Sequence, residues 1–265
     1  MLLSLALMTG VAANVRAELV SSVSGIKAGE TFLAAVVLRT DPGVHIYWQN
    51  PGDAGAATKI DWTLPEGWTA SDLKWPTPSR YSEGRSTTFG YEGATILMVQ
   101  ITTSSTTKIG TARMMAKASW MSSDSKEAGS SDLKLSLQVA PVKTSVSVVW
   151  GEKLAAAWSG MPKTPDGWKF EAGLIDGGYV LRALPPSKME FKSGLPNFYP
   201  MDKDVVLAGY PQSFLLKDDG WFWLALKKGA TAKPEHLRGL LMAPKDSKWP
   251  GELTSVLVDV QIGAK

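Results

Sequence analysis

Leu133-Lys134-Leu135-Ser136-Leu137-Gln138-Val139 sets apolar side chains at odd positions and polar ones at even positions. A period of two marks a β-strand with one buried and one wet face, because successive side chains leave a strand on opposite sides. One wet face also argues for antiparallel pairing, since parallel sheets are covered on both faces. The same short, strand-like texture recurs at residues 32–39, 96–102 and 112–120. Beyond the opening stretch it returns at 179–184, 213–216, 221–226, 237–243 and 256–262. Clusters of Gly, Pro, Ser or Asp separate these runs, as turns require.

Helical texture is confined to two places. Residues 150–158 (WGEKLAAAW) favour a helix through Leu and Ala, and Pro162 and Pro165 stop it. A short helical turn is predicted after Pro234, because proline suits a first helical position. The spacing of strands predicts an all-β chain of two tandem antiparallel β-sandwich domains, residues 18–145 and 146–265.

Composition narrows the function. With 28 basic and 25 acidic residues the net charge is +3, and no basic run exceeds a pair such as Lys227-Lys228. That distribution leaves no electrostatic footprint for nucleic acid or an anionic membrane surface. Residues 1–13 are mostly apolar, and Val15-Arg16-Ala17 offers small residues where a signal peptidase reads. We expect a signal peptide over residues 1–17; the competing reading is a buried first strand or helix. No other stretch reaches 18 apolar residues, so the mature chain is expected to have no membrane span. Eleven tryptophans serve either as large core plugs or as an exposed aromatic platform for a glycan or peptide. Cysteine is absent. An exported protein of this composition rests on packing rather than on disulfides.

Four co-linear segments stand out: residues 43–55 (GVHIYWQNPGDAG), 60–67 (IDWTLPEG), 73–78 (LKWPTP) and 89–93 (FGYEG). In this order and spacing they resemble the N-terminal periplasmic domain of the DsbD family of thiol–disulfide interchange proteins, and especially its ScsB-like copper-tolerance relatives. The resemblance covers residues 20–140, and Phe198-Tyr199-Pro200 resembles an element of the relatives' second N-terminal domain. It implies immunoglobulin-like sandwiches, a periplasmic or secreted location and an exported protein partner. Active members carry a cysteine pair after a strand-terminal Trp. Here Trp120 is followed by Ser123 at the first cysteine position, with Glu127 or Ala128 at the second. Only a thiolate accepts and passes on a disulfide, so redox catalysis is not expected. The predicted function is a non-catalytic binding or accessory module without a cofactor, in contact with redox or envelope proteins.

The remaining candidates are weighed on local chemistry. Phe89 and Tyr91 are carried over as a cap-like loop above the site. Asn50-Pro51-Gly52-Asp53 reads as a turn; with Tyr47, Trp48 and Trp62 it is either scaffold or the rim of a binding surface. His45 and His236 are the sole histidines, too few and too far apart for a zinc site, and no metal is expected. Met98, Met114, Met115 and Met121 read as core filling rather than copper ligands. Asp218-Asp219 reads as a hairpin turn, not a calcium loop. Asp202 and Asp204 are the carboxylates an unexpected hydrolase would use.

Overall fold

The computed structural model describes residues 14–125, 127–187, 189, 194–230 and 234–263. Its first strands are β1 (Val15–Ser21), β2 (Val23–Lys27), β3 (Thr31–Thr40), β4 (His45–Gly52), β5 (Lys59–Thr63) and β6 (Thr69–Ala70). Then come β7 (Ser79–Glu83), β8 (Ser86–Glu92), β9 (Ala94–Thr102), β10 (Gly110–Met121), β11 (Ala128–Ala140) and β12 (Ser145–Val146). After helix α1 (Gly151–Ser159) the chain continues as β13 (Lys169–Ile175), β14 (Gly178–Leu184) and β15 (Asn197–Pro200). It closes with β16 (Ser213–Leu216), β17 (Phe222–Lys227), β18 (His236–Met242) and β19 (Ser255–Gly263).

The first half is an immunoglobulin-like sandwich. One sheet has the order β1-β3-β9-β6, the facing one β12-β2-β11-β10-β5, and a third, β4-β8-β7, closes one side. In β11 the odd residues Leu133 to Val139 turn inward and the even ones outward, as the alternation requires. Its antiparallel register against β10 runs from Gly110↔Val139 to Met121↔Ala128. Residues 32–39 lack a polar face for a different reason. Ala34, Val36 and Leu38 enter the sandwich core, whereas Ala35 and Val37 lie under α1 with Val20, Met98 and the fully buried Leu154. Helix α1 and β12 therefore pack on the first half; the expected boundary after residue 145 falls inside β12 and leaves α1 with the second.

The second half is a seven-stranded sheet, β15-β18-β19-β13-β14-β17-β16. Trp249 plugs its core at 1% exposure. The indole stacks on Phe222 at 5.7 Å, meets Trp168 edge-on at 5.2 Å and donates its N–H to Leu241 O at 2.9 Å. Gln212, just before β16, reaches the edge strand β15. Its side chain accepts from Phe198 N at 2.8 Å and donates to Phe198 O at 2.7 Å, imitating a neighbouring strand.

Pairing is antiparallel throughout the named strands except for β2 with β11 and β13 with β19. In the second half the first strand, β13, thus runs parallel to the last, β19; in the first half it is the second strand, β2, that runs parallel to the long β11. The helical turn expected after Pro234 is absent, because β18 begins at His236 and pairs with β19 through seven residues to Met242↔Ser255. Ladder hydrogen bonds outweigh the local proline signal. Residues 1–13 of the expected signal peptide lie outside the described residues; Val15 to Ala17 belong to β1, with Val15 buried.

Replacing Gln212 by Ala strips Phe198 of both partners at a half-buried edge. Loss of such bonds costs on the order of 1–3 kcal/mol. The expected result is a lower urea midpoint with an unchanged β-sheet circular dichroism spectrum.

Candidate functional site

The turn between β10 and β11 lies beside Trp120 and holds Ser123, with Glu127 and Ala128 at its far side, the positions at which the resemblance leads one to expect a cysteine pair. Ser122 bridges to Ile46, and Ser123 N donates to His45 O at 2.9 Å. The Ser123 hydroxyl accepts from His45 N at 3.0 Å. That oxygen is therefore part of the seam that fixes β10 to β4, and no imidazole nitrogen is bonded to it. A serine nucleophile needs a base within hydrogen-bond reach, so the hydroxyl is not activated. Glu127 and Ala128 are exposed; Glu127 N donates to Ser125 Oγ at 3.1 Å. Trp120 is buried and lies flat against Gly129, where a Cβ would come within 2.5 Å of its Nε1. Asn14 donates to the Asp124 carboxylate, which ties the residue before β1 to the same turn.

Beside this turn is a small aromatic group. The His45 ring stacks on Tyr81 at 3.9 Å with planes 4° apart, and meets Tyr47 edge-on at 5.2 Å. His45 Nε2 lies 3.5 Å from Thr88 Oγ1. Burial pushes the His45 pKa down, and the nearby Glu92 opposes that shift. Burial also pushes the hydroxyls of Tyr47 and Tyr81 up, with Glu83 adding to the first and Glu92 to the second. Tyr81 carries no signal in the sequence, because a lone aromatic in the polar run SRYSE reads as surface.

Residues 89–93 do not form a covering loop. Phe89 and Tyr91 sit in β8, between β4 and β7. Phe89 is 2% exposed and packs edge-on against Trp48 at 6.1 Å and against Tyr199 of the second half at 4.6 Å. Tyr91 donates to Pro76 O at 2.8 Å and stacks on Trp75 at 6.5 Å. Asn50-Pro51-Gly52 is likewise strand rather than turn; the turn starts at Asp53. Gly52, at φ +85, lets β4 pass so close to β8 that a Cβ would come within 2.3 Å of Thr87 O. Asn50, 2% exposed, donates to Pro200 O at 2.8 Å and Asp202 O at 3.3 Å. Its Oδ1 accepts from Gly52 N at 3.1 Å. Trp48, Asn50 and Phe89 thus form a joint between the halves, strengthened by the 2.7 Å contact of Thr77 Oγ1 with Ser255 Oγ.

The other candidates are dispersed. Trp62 is half-buried on β5, which pairs with β10. Met98 and Met114 are buried, and Met115 points outward. Asp202 forms a two-bond pair with Arg238, and Asp204 is exposed at φ 63. His236 Nδ1 lies 2.6 Å from Asp259 Oδ1, on β18 and β19 of the second half. Asp218 and Asp219 form a β16–β17 hairpin turn in which Trp221 N donates to Asp219 Oδ1 at 3.1 Å.

An immunoglobulin-like sandwich whose β10–β11 turn lies beside a histidine–tyrosine stack defines the class of fold and site. Residues 16–122 match the family model for the thiol:disulfide interchange protein DsbD, N-terminal. The chain is similar in structure to the N-terminal periplasmic domain of ScsB from Proteus mirabilis. The TM-score is 0.65 at 16% identity, over 95% of each chain. The seventh ScaB type I cohesin from Pseudobacteroides cellulosolvens reaches a TM-score of 0.29 at 11% identity, over 48% of this chain and 94% of that one. A family 123 glycoside hydrolase from Clostridium perfringens reaches 0.29 at 8% identity, over 49% of this chain and 27% of that one. No curated protein matches the sequence. The first half therefore resembles a DsbD N-terminal domain, and it carries no cysteine.

Two substitutions probe this region. Asn50→Ala leaves Pro200 O and Asp202 O without their donor and is expected to destabilise the chain by roughly 1–3 kcal/mol in urea unfolding. His45 has a folded pKa below its unfolded value, so the unfolded state takes up its proton first. The stability it contributes is present above about pH 6.5 and is lost as pH falls through the folded pKa. Between about pH 7.5 and about pH 5 the wild type should lose more stability than His45→Asn. Equal losses would remove His45 as the source.

Proposed function

We propose that the chain is an exported, periplasmic, non-catalytic module of the DsbD N-terminal type, formed of two β-sandwich domains, that binds redox or envelope proteins. One observation supports this reading. Residues 16–122 match the family framework, and counting on from Trp120 we assign Ser123, with Glu127 or Ala128, to the positions of an active pair, where the Ser123 oxygen is spent on His45 N. Hydroxyl, carboxylate and methyl groups cannot hold two electrons as a disulfide. What remains at this end of the sandwich is a surface: Tyr81 on His45, beside the exposed Ser123, Asp124 and Glu127. Loops on a rigid sandwich are common recognition elements. No helix among the described residues is long and apolar enough to cross a membrane.

The tryptophans support this reading over a glycan platform. Trp48, Trp68, Trp120, Trp168 and Trp249 are buried, and the other six are half-buried. Their area goes into packing.

The test has two arms. The purified chain should leave a protein disulfide oxidised under conditions in which an active thiol pair reduces it stoichiometrically. A photo-crosslinking residue at Tyr81 should trap an exported protein in periplasmic extract. The same residue at Lys108, at the opposite end of β10, should trap none. Stoichiometric reduction, or equal trapping at both positions, defeats the proposal.

A further inference from the structure

A cleft of about 590 Å³ opens where the β7–β8 hairpin of the first half meets residues 207–210 of the second. Asp53, Arg80, Ser82, Arg85, Thr87 and Tyr210 line it. The contact at its floor is close. A Cβ on Gly209 would lie 2.9 Å from Asp53 Oδ2 and 3.2 Å from Arg85 O, so the two halves approach closely here. Asp53 and Thr87 lock the floor: Asp53 N donates to Thr87 O at 2.9 Å, and Thr87 N donates to Asp53 Oδ2 at 2.8 Å.

Charge is the unusual property of this cleft. Of the chain's seven arginines, Arg16, Arg39, Arg182 and Arg238 each hold a carboxylate. Arg80, Arg85 and Arg113 show no such partner among the described residues, and two of these three, Arg80 and Arg85, line this one cleft. Arg80 reaches only the neutral Thr87 hydroxyl, at 3.4 Å, and Ser82 Oγ is the same distance from that hydroxyl. Both contacts are at the long limit for hydrogen bonds, which leaves donors for a better acceptor. Lys227 Nζ, 5.7 Å from the Tyr210 ring centroid, adds a third positive charge near the rim. Asp53 is the single carboxylate in the lining, and one of its oxygens is engaged by Thr87 N.

We propose that this cleft binds an acidic saccharide. A guanidinium fork matches the two oxygens of a carboxylate or sulfate. The exposed Ser82 hydroxyl and the second Asp53 oxygen suit ring hydroxyls. Tyr210, 51% exposed, offers an aromatic face to a sugar ring. A bare anion would use the arginines alone, and a neutral sugar would leave them unpaired. The volume fits the about 300–1,000 Å³ typical of small-ligand sites, which favour the junctions between domains. This site is separate from the Tyr81 surface and does not depend on a protein partner.

Isothermal titration of the full chain with digalacturonate, its neutral counterpart galactobiose and inorganic sulfate tests the inference. Digalacturonate should bind saturably at one site, with sulfate weaker by about tenfold or more and galactobiose showing no heat of binding. Arg85→Ala and the Arg80→Ala/Arg85→Ala pair should each weaken digalacturonate, the pair by at least about tenfold. Tyr210→Ala should weaken digalacturonate and leave sulfate unchanged. All these side chains are exposed, and circular dichroism checks that the variants fold. Failure of digalacturonate to bind, equal binding of galactobiose, sulfate binding as tightly as the sugar, or indifference to the arginine substitutions would each overturn the proposal.

Discussion

Phe89 buried against Tyr199 is the contact on which the arrangement of the two halves turns. It is the middle of an aromatic series, Trp48 to Phe89 to Tyr199, that starts in the first sandwich and ends on the edge strand of the second. Met201, Leu240, Met242 and Leu257 of the second half join the same apolar cluster, so the first core continues across the junction. Asn50 adds direction to this non-directional burial. An apolar seam alone tolerates sliding, whereas an amide that must reach Pro200 O and Asp202 O does not.

This joint reassigns much of what the first half offers for function. Trp48, Asn50 and Phe89 are withdrawn from solvent by it. The surface left over is smaller and lies one strand away, where Tyr81 covers His45 beside the β10–β11 turn. Ser123 has a structural purpose of its own: its hydroxyl accepts a main-chain N–H from His45 and fixes the β10–β11 turn to β4. The same joint, at its wetter margin, creates the arginine-lined cleft, which neither half forms alone.

Strands with a wet face were the most legible elements. Residues 133–139 lie in a strand because a strict two-residue period has few alternatives. β7 was illegible, since SRYSE has one aromatic in a polar setting and is held by its pairing with β8. β13 was equally quiet, with charges and a glycine interrupting its apolar residues. Pro234 misled for the converse reason, a local helical signal overruled by the β18–β19 ladder. At the site, Ser123, Glu127 and Trp120 were singled out from their order after a strand, which is a one-dimensional property. Tyr81 was not, because its stacking partner His45 lies far away along the chain.

By itself the sequence determined the β class, the helix, the absence of any thiol and the segments shared with DsbD-type domains, because these depend on residue identity and on periods of a few residues. Tertiary structure alone decided that Phe89 and Asn50 join the halves, that α1 belongs to the first sandwich, and that Arg80 and Arg85 line one cleft with Tyr210. The physical reason is that burial and charge pairing are set by which surfaces meet across long stretches of chain. Such meetings leave no local pattern in the residues that take part in them.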